Sequence, residues 1–270
     1  MIQKHFIATQ IRRTNRNLGI LTLLTIIPGI ILLAIGGIEG ILKLIAAFIE
    51  GPFGFELLLE IISNFMELLF FVVGLRLLIY GSKKMWQLVP RLIHFEQHPI
   101  YKEVAYYGEF EDVALNIHYD LIQSGHKKYK NIYITEHWVM QITAFHLAVL
   151  KLEDVVWAYE RVSKQEHAAV IPGVVSVGPS EVARTYSVVI HSRNPLVPML
   201  QASITHELDF TEDIEGNALE GKRKQAYMNT ILEELERRHP RAIYGYSRDL
   251  EEMWYRDRRT FIKSAGFSVN

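Results

Sequence analysis

Several side chains in this sequence have the types that catalysis requires, but their spacing does not complete a catalytic site. Ser247 lies in Gly-Tyr-Ser-Arg-Asp, where a nucleophile elbow would need glycine in place of Asp249. No histidine follows Ser247, so the chain order of that fold cannot be completed. We therefore interpret Ser247 as the N-cap of a helix.

The acidic and histidine residues likewise do not match the spacing of known metal sites. The segment from His206 to Gly216 is rich in carboxylates, but Ile214 stands where a calcium loop needs glycine. The eleven histidines are scattered, and no His-Glu-x-x-His is present. Cysteine is absent, which excludes disulfides, thiolate metal sites and a cysteine nucleophile. The sequence thus predicts no catalytic residue, no metal site and no cofactor.

Charge is divided unevenly along the chain. Nine basic and five acidic residues precede Phe95, whereas twenty basic and twenty-five acidic residues follow it. An acidic second half argues against nucleic acid as a partner. The basic run Arg256–Arg259, with Arg237 and Arg238, either meets an anionic group or is solvated at helix ends.

The sequence contains two apolar stretches near the N-terminus, and these must position the rest of the chain. Residues 18–38 contain no charge, and their length matches the roughly 20 residues that a helix needs to cross a bilayer. This run is also longer than the apolar region of a signal peptide. Residues 57–80 contain enough Leu, Ile, Val and Phe to outweigh their charges. We predict a transmembrane hairpin in residues 1–94 and a cytosolic α+β domain in residues 95–270.

The second stretch carries an aligned set of polar side chains. Helical spacing places Glu60, Asn64 and Glu67 on one face, which should avoid lipid. Three interpretations remain open for this face: a packing seam, a polar contact with a partner helix, or a path for protons or ions.

The first stretch carries a complementary face of small side chains, of the kind that lets transmembrane helices approach closely. Its members are Thr22, Thr25, Gly29 and Gly36. In an antiparallel hairpin we expect Glu67 at the depth of Gly29. It would then lie near the carbonyl oxygen of Leu24, which has no helical donor because Pro28 lacks an N–H.

Basic residues flank both stretches on the sides that lead to the termini. They are Lys4, Arg12, Arg13 and Arg16 before the first stretch, and Lys83, Lys84 and Arg91 after the second. The connection holds Lys43 against Glu39, Glu50 and Glu56. Both termini are therefore predicted to be cytosolic in a multi-pass protein of the cell membrane. Residues 40–50 either lie at the outer interface or extend the first helix.

The remaining residues indicate an antiparallel sheet domain with C-terminal helices. A helix is predicted over residues 108–125, where apolar residues recur at helical spacing between acids and Gly125. Short β-branched and aromatic runs from residue 131 to residue 162 predict one antiparallel meander. Residues 163–184 are predicted to form a long loop or hairpin insertion. Two further strands, a helix over residues 222–238 and a last helix from Arg248 to Lys263 complete the prediction.

Two short motifs in this region carry a resemblance. They are Ile-Thr-x-x-Trp at Ile134 to Trp138 and Leu-x-Asp-Val-Val-Trp-Ala-Tyr at Leu152 to Tyr159. With the preceding hairpin, the chain resembles a family of uncharacterised bacterial two-span membrane proteins whose cytosolic module is similar to pleckstrin-homology-like (PH-like) domains. The resemblance implies that fold and no catalytic residue.

These observations together predict a membrane-anchored, non-enzymatic binding or scaffolding protein. Its expected partners are the lipid bilayer and a protein, either a different one or a second copy of this chain. Two alternatives belong to other classes: a small transport or channel-associated subunit that uses the polar face around Glu67, and a membrane-tethered enzyme without a recognisable motif.

Overall fold

The computed structural model describes residues 5–50, 65–123, 126–167, 180–207 and 214–268. The chain divides into two compact units. The first consists mainly of Ala8–Lys102, and the second consists of Glu103–Asn270 together with His5–Ile7.

The first unit is helical. Helix α1 (Phe6–Leu32) passes through a single π-helical turn (Leu33–Gly37) into α2 (Ile38–Glu50), and α3 (Phe65–Ile93) follows. Residues 40–50 are therefore helical and continue the first helix beyond the π-helical turn. Among the described residues, Phe6–Ile35 and Phe65–Ile93 are long and apolar enough to cross a membrane.

The second unit contains helices around two sheets, which are antiparallel except for one short parallel strand, and this confirms the predicted α+β class. Helix α4 (Pro99–Ala105) crosses the boundary between the two units. The helices that lie wholly in the second unit are α5 (Phe110–Gln123), α6 (Ile214–Arg238), α7 (Arg248–Arg256) and α8 (Arg258–Ser264). The strands are β1 (Lys127–Tyr129), β2 (Ile132–Ile134), β3 (Trp138–Ile142), β4 (Leu147–Lys151), β5 (Val155–His167), β6 (Ser180–Ser192), β7 (Met199–Glu207) and β8 (Ile243–Tyr244).

The predicted meander is divided between the two sheets. The first sheet has the order β1-β2-β3-β4, and the second has the order β7-β6-β5-β8. A helical turn at Leu152–Asp154 separates β4 from β5, so the run of strands does not continue in one sheet. A register shift between Val155 and Trp157 then lets β5 direct side chains into two different cores. The short parallel strand β8 was not predicted, because two residues are too few to show a period.

Each face of the second sheet is covered by a helical layer. Helix α6 packs on one face through Met228, Ile231 and Leu235, and this core also includes residues of the first sheet such as Val139 and Leu150. Helices α7 and α8 cover the other face. The second core is aromatic and consists of Val156, Trp157, Tyr159, Val189, Trp254, Phe261 and Ile262.

Several boundaries differ from the sequence prediction. Helix α6 begins at Ile214 rather than at residue 222. Of the 22 residues predicted as a long loop or hairpin insertion (163–184), ten are strand, because β5 continues to His167 and β6 begins at Ser180. These two strands pair antiparallel, as in the hairpin alternative, and residues 168–179 lie outside the described residues. The single C-terminal helix is interrupted at Asp257, whose backbone is extended and whose carboxylate accepts a hydrogen bond from Thr260 N at 3.1 Å. Asp257 thus caps α8, which is a position that aspartate favours. Ser247 occupies the N-cap position of α7 but makes no side-chain capping bond in the described structure.

Candidate functional site

A seam of small residues joins α1 to α3 in the first unit. A Cβ built on Gly29 would lie 3.0 Å from the carbonyl oxygen of Gly74, and the reverse distance is also 3.0 Å. The Thr22 and Thr25 side chains are buried, and their hydroxyls donate to Leu18 O at 2.8 Å and Leu21 O at 3.0 Å. Three members of the predicted small-residue face therefore lie where the two helices approach closely. The fourth, Gly36, belongs to the π-helical turn.

The register of this seam differs from the predicted one. Glu67 lies beside Gly40, where a Cβ would collide with the Glu67 side chain, and Gly29 lies beside Gly74 instead. The expectation that Glu67 shares the depth of Gly29 is therefore wrong. The two apolar stretches are offset along the hairpin, with Gly29 against Gly74, because small residues allow helices to approach closely and hydropathy does not encode which of them meet.

Glu67 is paired with a cation at this position. Lys43 Nζ lies 3.2 Å from Glu67 Oε1 and 3.0 Å from Glu39 Oε1. Glu67 therefore has an ionic partner on the neighbouring helix and takes part in the contact between α2 and α3. Glu60 and Asn64, the other members of the predicted polar face, lie outside the described residues.

Gly81 provides a test of the seam. A Cβ there would lie 2.6 Å from Ile26 Cγ1 and 2.7 Å from Thr25 Oγ1, on two β-branched side chains that have little rotamer freedom in a helix. At Gly19 a Cβ would meet Leu88 Cδ2 at an ordinary 3.7 Å. We expect Gly81→Ala to be less stable than Gly19→Ala by about 2 kcal/mol, as overpacking usually costs. Unfolding of the full chain by SDS, followed by circular dichroism, measures this difference.

The Gly19→Ala variant is the matched control, because both substitutions make the same change in helix propensity and differ only in the space available. Equal midpoints for the two variants would show that α1 and α3 do not pack through Gly81.

A polar cleft of 320 Å³ is the candidate binding site of the second unit. It is formed by the turn before β3, the end of β4, the C-terminal end of α6 and one position on α5. The lining residues are Asn116, Glu136, His137, Trp138, Lys151, Leu152, Glu153, Arg238 and His239. Both charge signs and two imidazoles are present, so the cleft suits a polar ligand better than an apolar one.

One wall of the cleft is held by an aromatic and hydrogen-bonded cluster around Tyr107. The Tyr107 hydroxyl accepts from Asn194 Nδ2 at 2.7 Å and from the Lys151 backbone N–H at 3.2 Å. Burial, together with nearby Asp154, raises the pKa of Tyr107 far above its usual range, so the phenol stays protonated. The Lys151 ammonium lies 5.5 Å from the Tyr107 ring centroid and 5.9 Å from that of Trp138. These contacts fix the position of a cation at the cleft.

Another lining residue, Arg238, is held by a buried carboxylate that has three basic partners. Glu234 accepts from Lys127 Nζ at 3.1 Å, Arg237 Nη2 at 2.7 Å and Arg238 Nε at 2.5 Å. The Arg237 hydrogen bond is the strongest influence, and with the other two it lowers the pKa of Glu234 to about 2. Arg238 therefore lines the cleft while paired with Glu234, a carboxylate that it shares with Lys127 and Arg237.

A third group of polar side chains lies where α5 meets the turn before β3. Asp120 is buried, and it accepts from the His137 backbone N–H at 3.0 Å and lies 3.3 Å from His137 Nδ1. Burial raises the pKa of Asp120, but hydrogen bonds from Thr135 and from His137 outweigh it and hold this pKa below the ordinary value. Asp120 is therefore ionised at neutral pH, next to the exposed Glu136.

The sequence did not single out Asp120, Glu136 or His137. Strands β1 and β2 separate Asp120 from Glu136 along the chain, so no short sequence motif contains both residues. The one available signal was the adjacent Glu-His pair in a turn, inside the Ile-Thr-x-x-Trp motif that carried the resemblance. Comparisons with models of protein families, with curated proteins and with solved structures found no match to this chain.

Proposed function

We propose that this chain is a membrane-anchored, non-enzymatic binding or scaffolding protein that presents a PH-like α+β domain on the cytosolic face of the cell membrane. The observation that carries the proposal is the outward surface of the first unit. Large apolar side chains there are about half exposed or more, among them Ile20, Leu23, Leu24, Ile27, Ile30, Ile31, Ile35, Val72 and Ile79. Such a continuous apolar surface is unfavourable in water and suits lipid.

The charges at the hairpin's ends support the proposed orientation. Because Gly19 lies beside Leu88, the basic residues that precede α1's apolar part and those near the end of α3 lie at the same end of the hairpin. Basic residues collect on the cytosolic side of membrane proteins. This end leads directly into the second unit, which would place the sheet domain in the cytosol.

The order of elements in the second unit supports the PH-like part of the proposal. A four-stranded antiparallel sheet is followed by a second sheet, and α6 then packs against both through one apolar face. The polar cleft of this unit is the surface that we assign to partner binding. A transport role would depend on Glu67, which is already paired with Lys43.

Single cysteines test the orientation, because the natural chain has none. We expect Gly54→Cys, in the connection between the apolar stretches, to react with an impermeant maleimide on intact cells. Tyr246→Cys, at a position that is 54% exposed in the second unit, should react only after the membrane is permeabilised. Labelling of Tyr246→Cys on intact cells, or release of the chain by alkaline carbonate, would contradict the proposal.

Crosslinking from the cleft tests the binding role. A photo-crosslinking residue at Asn116 should capture a discrete partner in cells, and Lys151→Glu should abolish that capture, since it reverses a charge fixed in the cleft wall. The control is Lys263→Glu, which makes the same charge change outside the cleft lining. Equal capture by wild type and by Lys151→Glu would remove the cleft from the proposal.

A further inference from the structure

Asp120, Glu136 and His137, here called the Asp120 group, have the composition of a metal-ion site. Asp120, Glu136 and His137 each offer one ligand atom, and these atoms all lie within 4.8 Å of one another. Asp120 comes from the last turn of α5, and the other two come from the turn between β2 and β3. Tertiary packing has therefore brought together two carboxylates and an imidazole from separate elements.

A structural role explains only part of this arrangement. The hydrogen bonds between Asp120 and His137 attach the turn to α5, and Glu136 contributes nothing to them. Glu136 makes no ion pair within the part of the chain that the structure describes, although its carboxylate lies close to that of Asp120. Two nearby carboxylates repel each other, and a positive ion bound between them would make the arrangement favourable.

The cleft gives such an ion access to solvent and to a further ligand. Glu136 and His137 line the cleft, as does Asn116, which lies one helical turn before Asp120 on α5 and offers an amide oxygen. Trp138 also lines this cleft, and its buried indole Nε1 has no hydrogen-bond partner among the described residues. An unsatisfied buried donor of this kind is costly unless a ligand or water supplies an acceptor.

The donor atoms select the class of metal. Calcium and magnesium prefer sites made wholly of oxygen, whereas an imidazole nitrogen with carboxylates suits zinc and the other first-row divalent ions. Three protein ligands leave at least one coordination position open, as in zinc sites that bind an exchangeable ligand.

We propose that Asp120, Glu136 and His137 bind a first-row divalent transition-metal ion at the wall of the polar cleft. The open coordination position faces the cleft, where the Trp138 N–H and the Lys151 ammonium can contact a water molecule or an anionic group on the ion. This inference goes beyond the proposed function and does not depend on membrane insertion.

Metal titration of the full chain tests the proposal. The protein is purified in detergent without a polyhistidine tag, stripped with EDTA and titrated with ZnCl₂ by calorimetry. We expect one Zn²⁺ ion per chain, with affinity reduced at least about tenfold in Glu136→Gln and in His137→Gln. Glu136 is exposed, so its substitution should leave the fold intact, which circular dichroism verifies.

The control variant is His146→Gln. His146 is a partly exposed histidine beside a carboxylate, with Nε2 3.2 Å from Glu103 Oε1, and no second carboxylate among the described residues completes a cluster with it. This variant should bind Zn²⁺ like the wild type. Titration with Co²⁺ adds a spectroscopic readout, because the visible absorption of a nitrogen-ligated ion should be lost in His137→Gln.

Absence of stoichiometric binding, or binding that Glu136→Gln and His137→Gln leave unchanged, would overturn the metal site. The membrane orientation is tested separately, by cysteine labelling. Stoichiometric binding that both variants weaken, with His146→Gln unaffected, would establish the site.

Discussion

Replacing Trp157 by alanine is expected to lower the free energy of unfolding of the second unit by about 4 kcal/mol, the usual cost of truncating a buried tryptophan. Trp157 is fully buried at the centre of the aromatic core. Its ring lies 4.3 Å from that of Tyr159, 4.9 Å from that of His191 and 5.7 Å from that of Phe261. The substitution would remove these contacts and leave a cavity between β5 and the helical layer of α7 and α8.

A hydrogen bond is lost in the same substitution. Trp157 Nε1 donates to the carbonyl oxygen of Gly245 at 2.9 Å and so attaches the segment after β8 to β5. Urea titration of the full chain in detergent, followed by circular dichroism, measures the loss. Trp86→Ala is the matched control, because Trp86 is 78% exposed and lies in the first unit. A loss below about 1 kcal/mol for Trp157→Ala would show that the aromatic core does not stabilise this unit.

Acidification is expected to destabilise the second unit through His191. This imidazole is buried against Trp157 and Trp254, with ring-centroid distances of 4.9 Å and 4.6 Å. Burial and the positive charge of Arg258 together lower the pKa of His191 to about 4, although Glu251 acts in the opposite direction. The folded chain therefore keeps His191 neutral over the range in which the unfolded chain protonates it.

The sign of the pH effect follows from this difference. The unfolded state binds the proton near pH 6.5 and the folded state near pH 4, so the unfolded state holds more protons between these values. The contribution of neutral His191 to the free energy of unfolding is fully present above pH 6.5 and is lost as the pH falls towards 4. A shift of this size corresponds to about 3 kcal/mol.

Replacement of His191 by phenylalanine isolates this contribution, because phenylalanine keeps a planar ring in the cluster and cannot be protonated. Urea titrations at pH 7.5 and pH 4.5 should show a smaller difference in unfolding free energy for His191→Phe than for the wild type. Burial also lowers the pKa of His5 and His239, so only the difference between the two proteins is assigned to His191. The exposed His94 provides the control, since His94→Gln should retain the wild-type difference. Identical pH dependence in wild type and His191→Phe would contradict the expectation.

Local signals in the sequence were sufficient to predict the main elements. The charge-free run at residues 18–38 predicted a long apolar helix, and acids at the start of the 108–125 segment with Gly125 at its end predicted α5. Runs of β-branched and aromatic residues predicted antiparallel strands at β2, β3, β4 and β5. These predictions are confirmed. They succeed because hydropathy, helix-end residues and strand propensity act over a few neighbouring residues. The PH-like fold and membrane insertion remain proposals.

Pairings between distant residues were decided by the tertiary structure alone. The sequence aligned Glu67 with Gly29, but the packing of Gly29 against Gly74 shifts the register and places Glu67 beside Gly40 and Lys43. The division of the strands into two sheets likewise depends on a turn and a register shift next to Val155.

The Asp120 group likewise could not be predicted from local sequence signals. Asp120 on α5 and His137 in a turn have no sequence relation, and only the docking of that turn on the helix brings their side chains together. The sequence by itself thus determined which segments are helical, extended or apolar, because those properties depend on nearby residues. Tertiary structure decided which side chains meet, because close packing and burial depend on residues far apart in the chain.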